Sequence, residues 1–196
     1  MRDIYTVLLE GIQKVEDVDS NSLPARLQEL KPFVRQLRHA YMRPPVTVDY
    51  SNQQIQAAYL IAYFPHYYQL IYSILLEDRQ DLFSDLKKIK IAYFGGGPGP
   101  EIFGTIKFIL SNRSNIEKIE IVLLDKYASS WEYSHTILLN HLITEINDRA
   151  IAISFEAINL DFTEREHLNE NQTKFENANF VVFQNCINEI PQPKVI

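Results

Sequence analysis

The chain has 196 residues, 46% of them hydrophobic and 22% charged, a make-up that supplies one globular core or one core with a small appendage. Its formal net charge is -6 and no lysine or arginine stripe breaks that balance, so charge lends no support to a nucleic-acid partner. A lone cysteine, Cys186, leaves no disulfide framework or multi-thiolate metal site, and Arg2, Asp3 and Glu10 interrupt any apolar leader, which together read as a reducing, cytoplasmic setting.

Ile4, Leu8 and Ile12 recur at helical spacing, and Leu27, Leu30, Phe33, Val34 and Leu37 repeat the period with Lys31, Arg35 and Arg38 on the other face. Arg43-Pro44-Pro45 predicts an extended linker, after which Ser51 offers an N-cap. The run from Ile55 to Leu76, IQAAYLIAYFPHYYQLIYSILL, carries no formal charge and is long enough for about 30 Å of hydrocarbon. Its glutamine and histidine side chains and Pro65 favour a buried, aromatic-rich helix pair broken at Pro65, and no membrane span. Tyr59, Tyr63, Tyr67, Tyr68 and Tyr72 are either core packing with hydroxyls at the surface or an aromatic lid over a substrate.

From Lys88 the pattern alternates between strands and helices. KIKIAYF, IEIVLLD, AIAISFEAI and NFVVFQN are strand-like runs, separated by PEIFGTIKFIL and by SSWEYSHTILLNHLITEIND. The latter opens with a capping box, Ser129 to Glu132, and puts Leu139, Leu142, Ile143 and Ile146 on one face. The predicted fold is therefore α/β: a helical region over residues 1–85, then a Rossmann-like parallel sheet of about four strands over 86–196, short at its C-terminal side.

Five of the six glycines lie between Lys88 and Gly104. A strand that ends in bare backbone and runs into a helix forms a cradle with free N–H groups at the helix start. A purely structural turn is the alternative, although a turn needs fewer glycines. The dinucleotide pattern G-x-G-x-x-G fails in both frames, ending at Pro100 from Gly95 and at Ile102 from Gly97, and no P-loop follows. What remains is G-x-G-x-G at Gly95, Gly97 and Gly99, with Asp125 at the tip of the next strand, where an acid can accept from both hydroxyls of a ribose.

At these residues the chain resembles the class I S-adenosylmethionine-dependent methyltransferases. IAYFGGGPGPEIFG looks like their glycine motif, IEIVLLDKY like the second motif with its ribose-binding acid, INLDF like the third, and NFVVFQNCINEI like the fourth strand and its substrate-facing end. AAYLIAYFPHYYQLI is similar to the helical extension of some rRNA-methyltransferase-like members. The resemblance implies S-adenosylmethionine as cofactor, with Gly95, Gly97 and Gly99 lining its methionine part, Asp125 on the ribose, and Lys126 or Tyr127 beside the adenine. Asp161 would accept from the adenine amino group, Phe162 would give backbone and apolar contact, and Gln184 and Asn185 would stand near the transferred methyl. The chain departs from the family at Tyr93, where an acid is usual, and at its end, soon after the fourth strand-like run.

Several residues keep two readings. Asp161 is a ligand or merely a solvated acid; Asn185, Asn188 and Glu189 position a substrate or end a strand. His135 and His141 stand six apart, which is not the spacing of a helical metal pair, and Cys186 reads as an inert buried thiol. No residue stands out as a general base, and the acceptor, a small molecule or RNA, is open. The alternative to an enzyme is a non-catalytic cofactor-binding or interaction module whose exposed edge, Phe180 to Phe183, is covered by a partner or by a second copy in a homodimer. A nicotinamide-dependent enzyme is disfavoured by the glycine spacing.

Overall fold

A computed structural model describes residues 2–43, 46, 48–78, 82, 83, 85–112, 115–184 and 186. The Pro44-Pro45 linker lies outside the described residues. Four helices come first. α1 (Ile4–Glu16) begins on Asp3, whose carboxylate accepts from the Thr6 N–H at 3.1 Å, and α2 (Leu23–Tyr41) buries Leu30 and Leu37. α3 (Gln53–Ala62) is capped by Asn52, which accepts from the Gln54 N–H at 2.8 Å. The expected cap, Ser51, is instead held by Asp49 through its own N–H and hydroxyl at 3.0 and 2.6 Å. α4 (Phe64–Asp78) follows after Tyr63, so the uncharged run is two helices meeting beside Pro65. Among the described residues no helix is long and apolar enough to cross a membrane.

The sheet has four strands, β1 (Lys88–Phe94), β2 (Lys118–Asp125), β3 (Ala152–Asn159) and β4 (Phe180–Phe183), all parallel in the order β3-β2-β1-β4. Phe94 pairs in register with Leu124 on one side and with Phe183 on the other. The two central strands are buried on both faces, which is why KIKIAYF and KIEIVLLD read as nearly continuous apolar runs. The chain steps outward from β1 to β2 to β3 and returns to β4 on the far side of β1. That reversal makes the C-terminal ends of β1 and β4 the topological switch point of the sheet, the place where ligands of open α/β sheets bind.

α5 (Pro100–Ser111) connects β1 to β2 and has Gly99 as N-cap and Pro100 in its first turn. It crosses α4 closely: a Cβ at Gly104 would collide with Ile71 and stand 2.5 Å from the Tyr68 carbonyl oxygen. Between β2 and β3 lie a 3-10 turn (Ala128–Trp131), α6 (Glu132–Ile137), a π-helical stretch (Leu138–Ile143) and α7 (Thr144–Ile146). The expected capping box is not formed. Ser129 is committed to the tip of β3, its N–H donating to Asn159 Oδ1 at 2.9 Å and its Oγ accepting from Asn159 Nδ2 at 3.1 Å, and Glu132 starts α6. Two short helices, α8 (Arg165–Glu170) and α9 (Gln172–Phe175), lead to β4.

Alternate residues of each central strand serve different layers. Ile89, Ile91, Tyr93, Ile119, Ile121 and Leu123 join one core with Ile4, Leu8 and Ile12 of α1, Leu60 of α3, Phe64 of α4 and Ile106 of α5. Ala92, Phe94, Val122 and Leu124 turn to the opposite face against Leu160, Phe162, Leu168 and Phe175.

Candidate functional site

The site is built where β1 and β2 end. The Gly95 N–H donates to the Leu124 carbonyl at 2.7 Å, and the chain then turns through Gly95, Gly97 and Gly99 at φ of 66°, 47° and 82° into α5. These are left-handed conformations that side chains disfavour, and they fall on the three positions of the G-x-G-x-G pattern. Asp125, the last residue of β2, reaches across to this turn: its Oδ2 accepts from the Gly97 N–H at 2.9 Å while Oδ1 accepts from the Tyr127 N–H at 2.7 Å. Only 8% of Asp125 is exposed. Burial raises its pKa, opposed by the Tyr127 and Gly97 N–H groups and by His135.

His135 of α6 clamps the same turn from the other side, its Nε2 lying 2.8 Å from the Gly97 carbonyl oxygen. A carbonyl only accepts, so Nε2 carries the proton. Burial lowers the His135 pKa, which keeps the ring neutral at neutral pH. Behind it, a cleft of about 440 Å³ along β3 is lined by Ser129, Glu132, Thr136, Asn140 and Phe155.

The bare faces of the glycines are filled by the chain itself. A Cβ at Gly95 would collide with Cys186 and meet Phe162 at 3.5 Å, one at Gly97 would meet the Trp131 indole at 3.5 Å, and one at Gly99 would press on Leu138 at 2.6 Å. Glycine density at this turn therefore has an internal cause as well as any external one. Cys186 is buried and donates to the Phe94 carbonyl at 3.1 Å.

Lys126 and Asp161, expected on different parts of an adenine, are brought to each other in an ion pair at 2.8 Å. Thr163 adds its hydroxyl at 2.5 Å and its N–H at 3.0 Å, and these partners hold the Asp161 carboxyl down to about 2. Phe162 packs edge-on against Phe94 and Phe183, with ring centres 6.1 and 6.0 Å away. Gln184 ties the end of β4 to α4 by donating to the Tyr67 carbonyl at 3.1 Å. Asn185, like Asn188 and Glu189, lies outside the described residues.

The tyrosines divide. Tyr59, Tyr63 and Tyr67 form a chain of ring contacts that reaches Trp131, which Tyr59 meets at 5.7 Å and Tyr50 at 4.5 Å. Tyr68 and Tyr72 lie away from it, under the Lys107 ammonium at 4.9 and 4.6 Å. Buried Gln56 of α3 fixes the stretch that carries Trp131: its Oε1 accepts from the N–H and hydroxyl of Ser134 at 3.0 and 2.9 Å, and its Nε2 donates to the carbonyls of Tyr50 and Ser130.

Two buried groups had no signal in the sequence. Glu101, in the first turn of α5, is 5% exposed and its Oε2 has no hydrogen-bond partner among the described residues; the Tyr93 hydroxyl is in the same condition. Burial, with the Asp125 charge adding to it, pushes the Glu101 carboxyl up to about 8. Tyr93, at the position where the resembled family carries an acid, is likewise raised by burial, with the Thr105 side chain opposing the shift and Glu101 adding to it.

No family model, curated protein or solved structure matches the chain. Among the described residues no group of three histidine, cysteine or acidic side chains is placed to hold a metal ion.

Proposed function

We propose that this chain binds S-adenosylmethionine and acts as a methyltransferase on a small-molecule or RNA acceptor. The observation that carries the proposal is the 2.9 Å contact between Asp125 Oδ2 and the Gly97 N–H, which joins the acid of β2 and the turn after β1 in one site beside the sheet's reversal point. Each Asp125 oxygen has one donor from the chain and a further lone pair for another, as a ribose diol requires.

Charge separates this cofactor from a dinucleotide. A pyrophosphate at the start of α5 would lie against the buried Asp125 carboxylate, and carboxylates repel phosphate oxygens. A sulfonium amino acid would bring positive charge to the same place, next to the Trp131 indole that borders Gly97. The cofactor would supply an activated methyl group. The chain would supply orientation through Asp125 and exclusion of water through the aromatic cluster, with the Lys126–Asp161 pair acting as one polar unit at the adenine end.

Two observations favour a second reading, a cofactor-binding or interaction module without turnover. The glycine faces are occupied by Cys186, Trp131 and Leu138, and on β4 Val181 and Phe183 are 44% and 46% exposed, an apolar edge that a second copy of the chain would cover. Calorimetric titration with S-adenosylmethionine, S-adenosylhomocysteine and NAD tests both. The first two bind and NAD does not, and Asp125→Ala, with its circular dichroism retained, weakens binding by about tenfold or more. NAD binding more tightly, or indifference to Asp125→Ala, would sink the proposal. Binding without methyl transfer to any acceptor leaves the module reading.

A further inference from the structure

We propose that the cleft between α6 and β3 binds a small-molecule primary amine with an apolar or aromatic body, its ammonium donating to His135 Nδ1 and facing the Glu132 carboxylate. Gly97 and Asp125 do not line this cleft, and the site does not rest on the function proposed above. Its volume of about 440 Å³ is that of a small-molecule site. Leu139 and Asn140 on its wall belong to the π-helical stretch, a distortion found frequently at functional sites.

One ring nitrogen of His135 is left over for a ligand. Nε2 carries the proton and donates to the Gly97 carbonyl at 2.8 Å, so in the neutral ring Nδ1 is a bare acceptor. His135 is only 6% exposed, and Nδ1 has no hydrogen-bond partner among the described residues. Yet the sealed, unpartnered side-chain atoms among those residues are Tyr93 Oη and Glu101 Oε2, and Nδ1 is not with them. The small exposed part of His135 therefore includes Nδ1, and the cleft that His135 lines is its opening.

The walls specify a cation with an apolar body. Glu132 stands three residues before His135, on the same face of α6. Among the described residues it is the only lysine, arginine or acid lining the cleft, and its carboxylate enters no hydrogen bond or ion pair there. The Thr136 hydroxyl is spent on the Glu132 carbonyl at 2.9 Å, and Ser129 on Asn159. Ala128, Leu139, Phe155 and Ala157 supply the apolar lining, with the Phe155 ring 5.1 Å from that of His135. An ammonium has three donors, enough for Nδ1 and Glu132 together. A carboxylate or phosphate would meet Glu132 as like charge and offer Nδ1 nothing. The net charge of -6 draws a cation to the protein. A donor on Nδ1 also strengthens the Nε2–H bond to Gly97, so an occupied cleft acts on the turn that Asp125 holds.

Calorimetric titration of the full chain near pH 7 compares phenethylamine with phenylethanol and phenylpropionate, which keep the ring and change the end group. The amine binds about tenfold or more tightly than the alcohol, and the carboxylate does not bind. Glu132→Gln, at an exposed residue, weakens the amine about threefold and leaves the alcohol unchanged. Imidazole ¹⁵N spectra, with the His135 ring assigned through bonds, show the bare Nδ1 signal of the free protein moving upfield as the amine is added and standing still with the carboxylate. Equal affinity for amine and alcohol, indifference of the amine to Glu132→Gln, or a stationary Nδ1 signal with the amine bound overturns the site, as does the absence of amine binding. None of these results bears on the adenosyl cradle, whose own titration decides it.

Discussion

Glu101 couples the fold to pH. Its carboxyl titrates at about 8 in the folded chain against an ordinary value of 4.5, so the folded state holds a proton that the unfolded chain gives up. Stability associated with this group is complete below the unfolded value and is lost as pH rises through the folded one. Asp161 has the opposite sign: its carboxyl is held at about 2 against 3.8, so its contribution is present above the ordinary value and is lost only as pH falls toward 2. Asp125, raised by burial, acts with the sign of Glu101, while His135 and His141, lowered by burial, act with the opposite sign below about their ordinary value of 6.5, so the difference between the unmodified protein and Glu101→Gln is what reports on Glu101. In the ligand-free protein the thermal midpoint should fall from about pH 7 to about pH 9, and Glu101→Gln should flatten that fall; parallel curves for the two proteins would refute the assignment. Nothing local marks this residue in the sequence, where an acid in the first turn of a helix looks like an ordinary partner of the helix dipole. Its burial comes from helices folded over the turn, whereas Asp125 was legible because an acid ending an apolar strand has a defined place at the sheet's C-terminal edge.

At the scale of elements, the crossing of α4 and α5 depends on Gly104. A methyl group there would meet the Tyr68 carbonyl oxygen at 2.5 Å, and backbone of a neighbouring helix has little freedom to retreat. Gly104→Ala gains about 1 kcal/mol of helix propensity but forces overpacking that costs about 1–3 kcal/mol, so its urea midpoint should lie below that of the unmodified chain. An equal or higher midpoint would mean that the helices separate without strain. The strands and their order of use were legible, since central parallel strands buried on both faces leave unmistakable runs such as IEIVLL. Helix starts were less so. Ser51 and Ser129 have the right side chain for a cap, yet Asp49 holds the first and Asn159 the second, and competition for a hydroxyl by partners elsewhere in the chain leaves no trace in the local pattern. The π-helical stretch Leu138–Ile143 was equally hidden, because its apolar spacing also fits an ordinary helix.

Over the whole molecule, the sequence break near residue 85 is a change of pattern rather than a change of core. Ile4, Leu8, Ile12, Leu60 and Phe64 from the helical region belong to the same buried cluster as Ile89, Ile121 and Ile137. Polar ties run the same way: Glu16 of α1 accepts from Arg26 Nε and Nη2 of α2 at 2.6 and 2.8 Å and from the Tyr133 hydroxyl of α6 at 2.8 Å. A shared core with buried cross-ties should unfold as one cooperative unit. Trp131, the sole tryptophan, packs with Leu37, Ile55, Ala58 and Tyr59 of the helical region and borders Gly97, so its fluorescence reports on the seam between that region and the turn after β1, while far-UV ellipticity reports on all the helices. Denaturant curves followed by the two signals should coincide. Arg26→Ala should move both together by about 1–3 kcal/mol, because it takes two donors from the part-buried Glu16 carboxylate and leaves it the Tyr133 hydroxyl. Separate midpoints would show that the helices are a detachable cap, and the aromatic wall that Tyr59 and Gln56 build against Trp131 would then be free to open without unfolding the sheet.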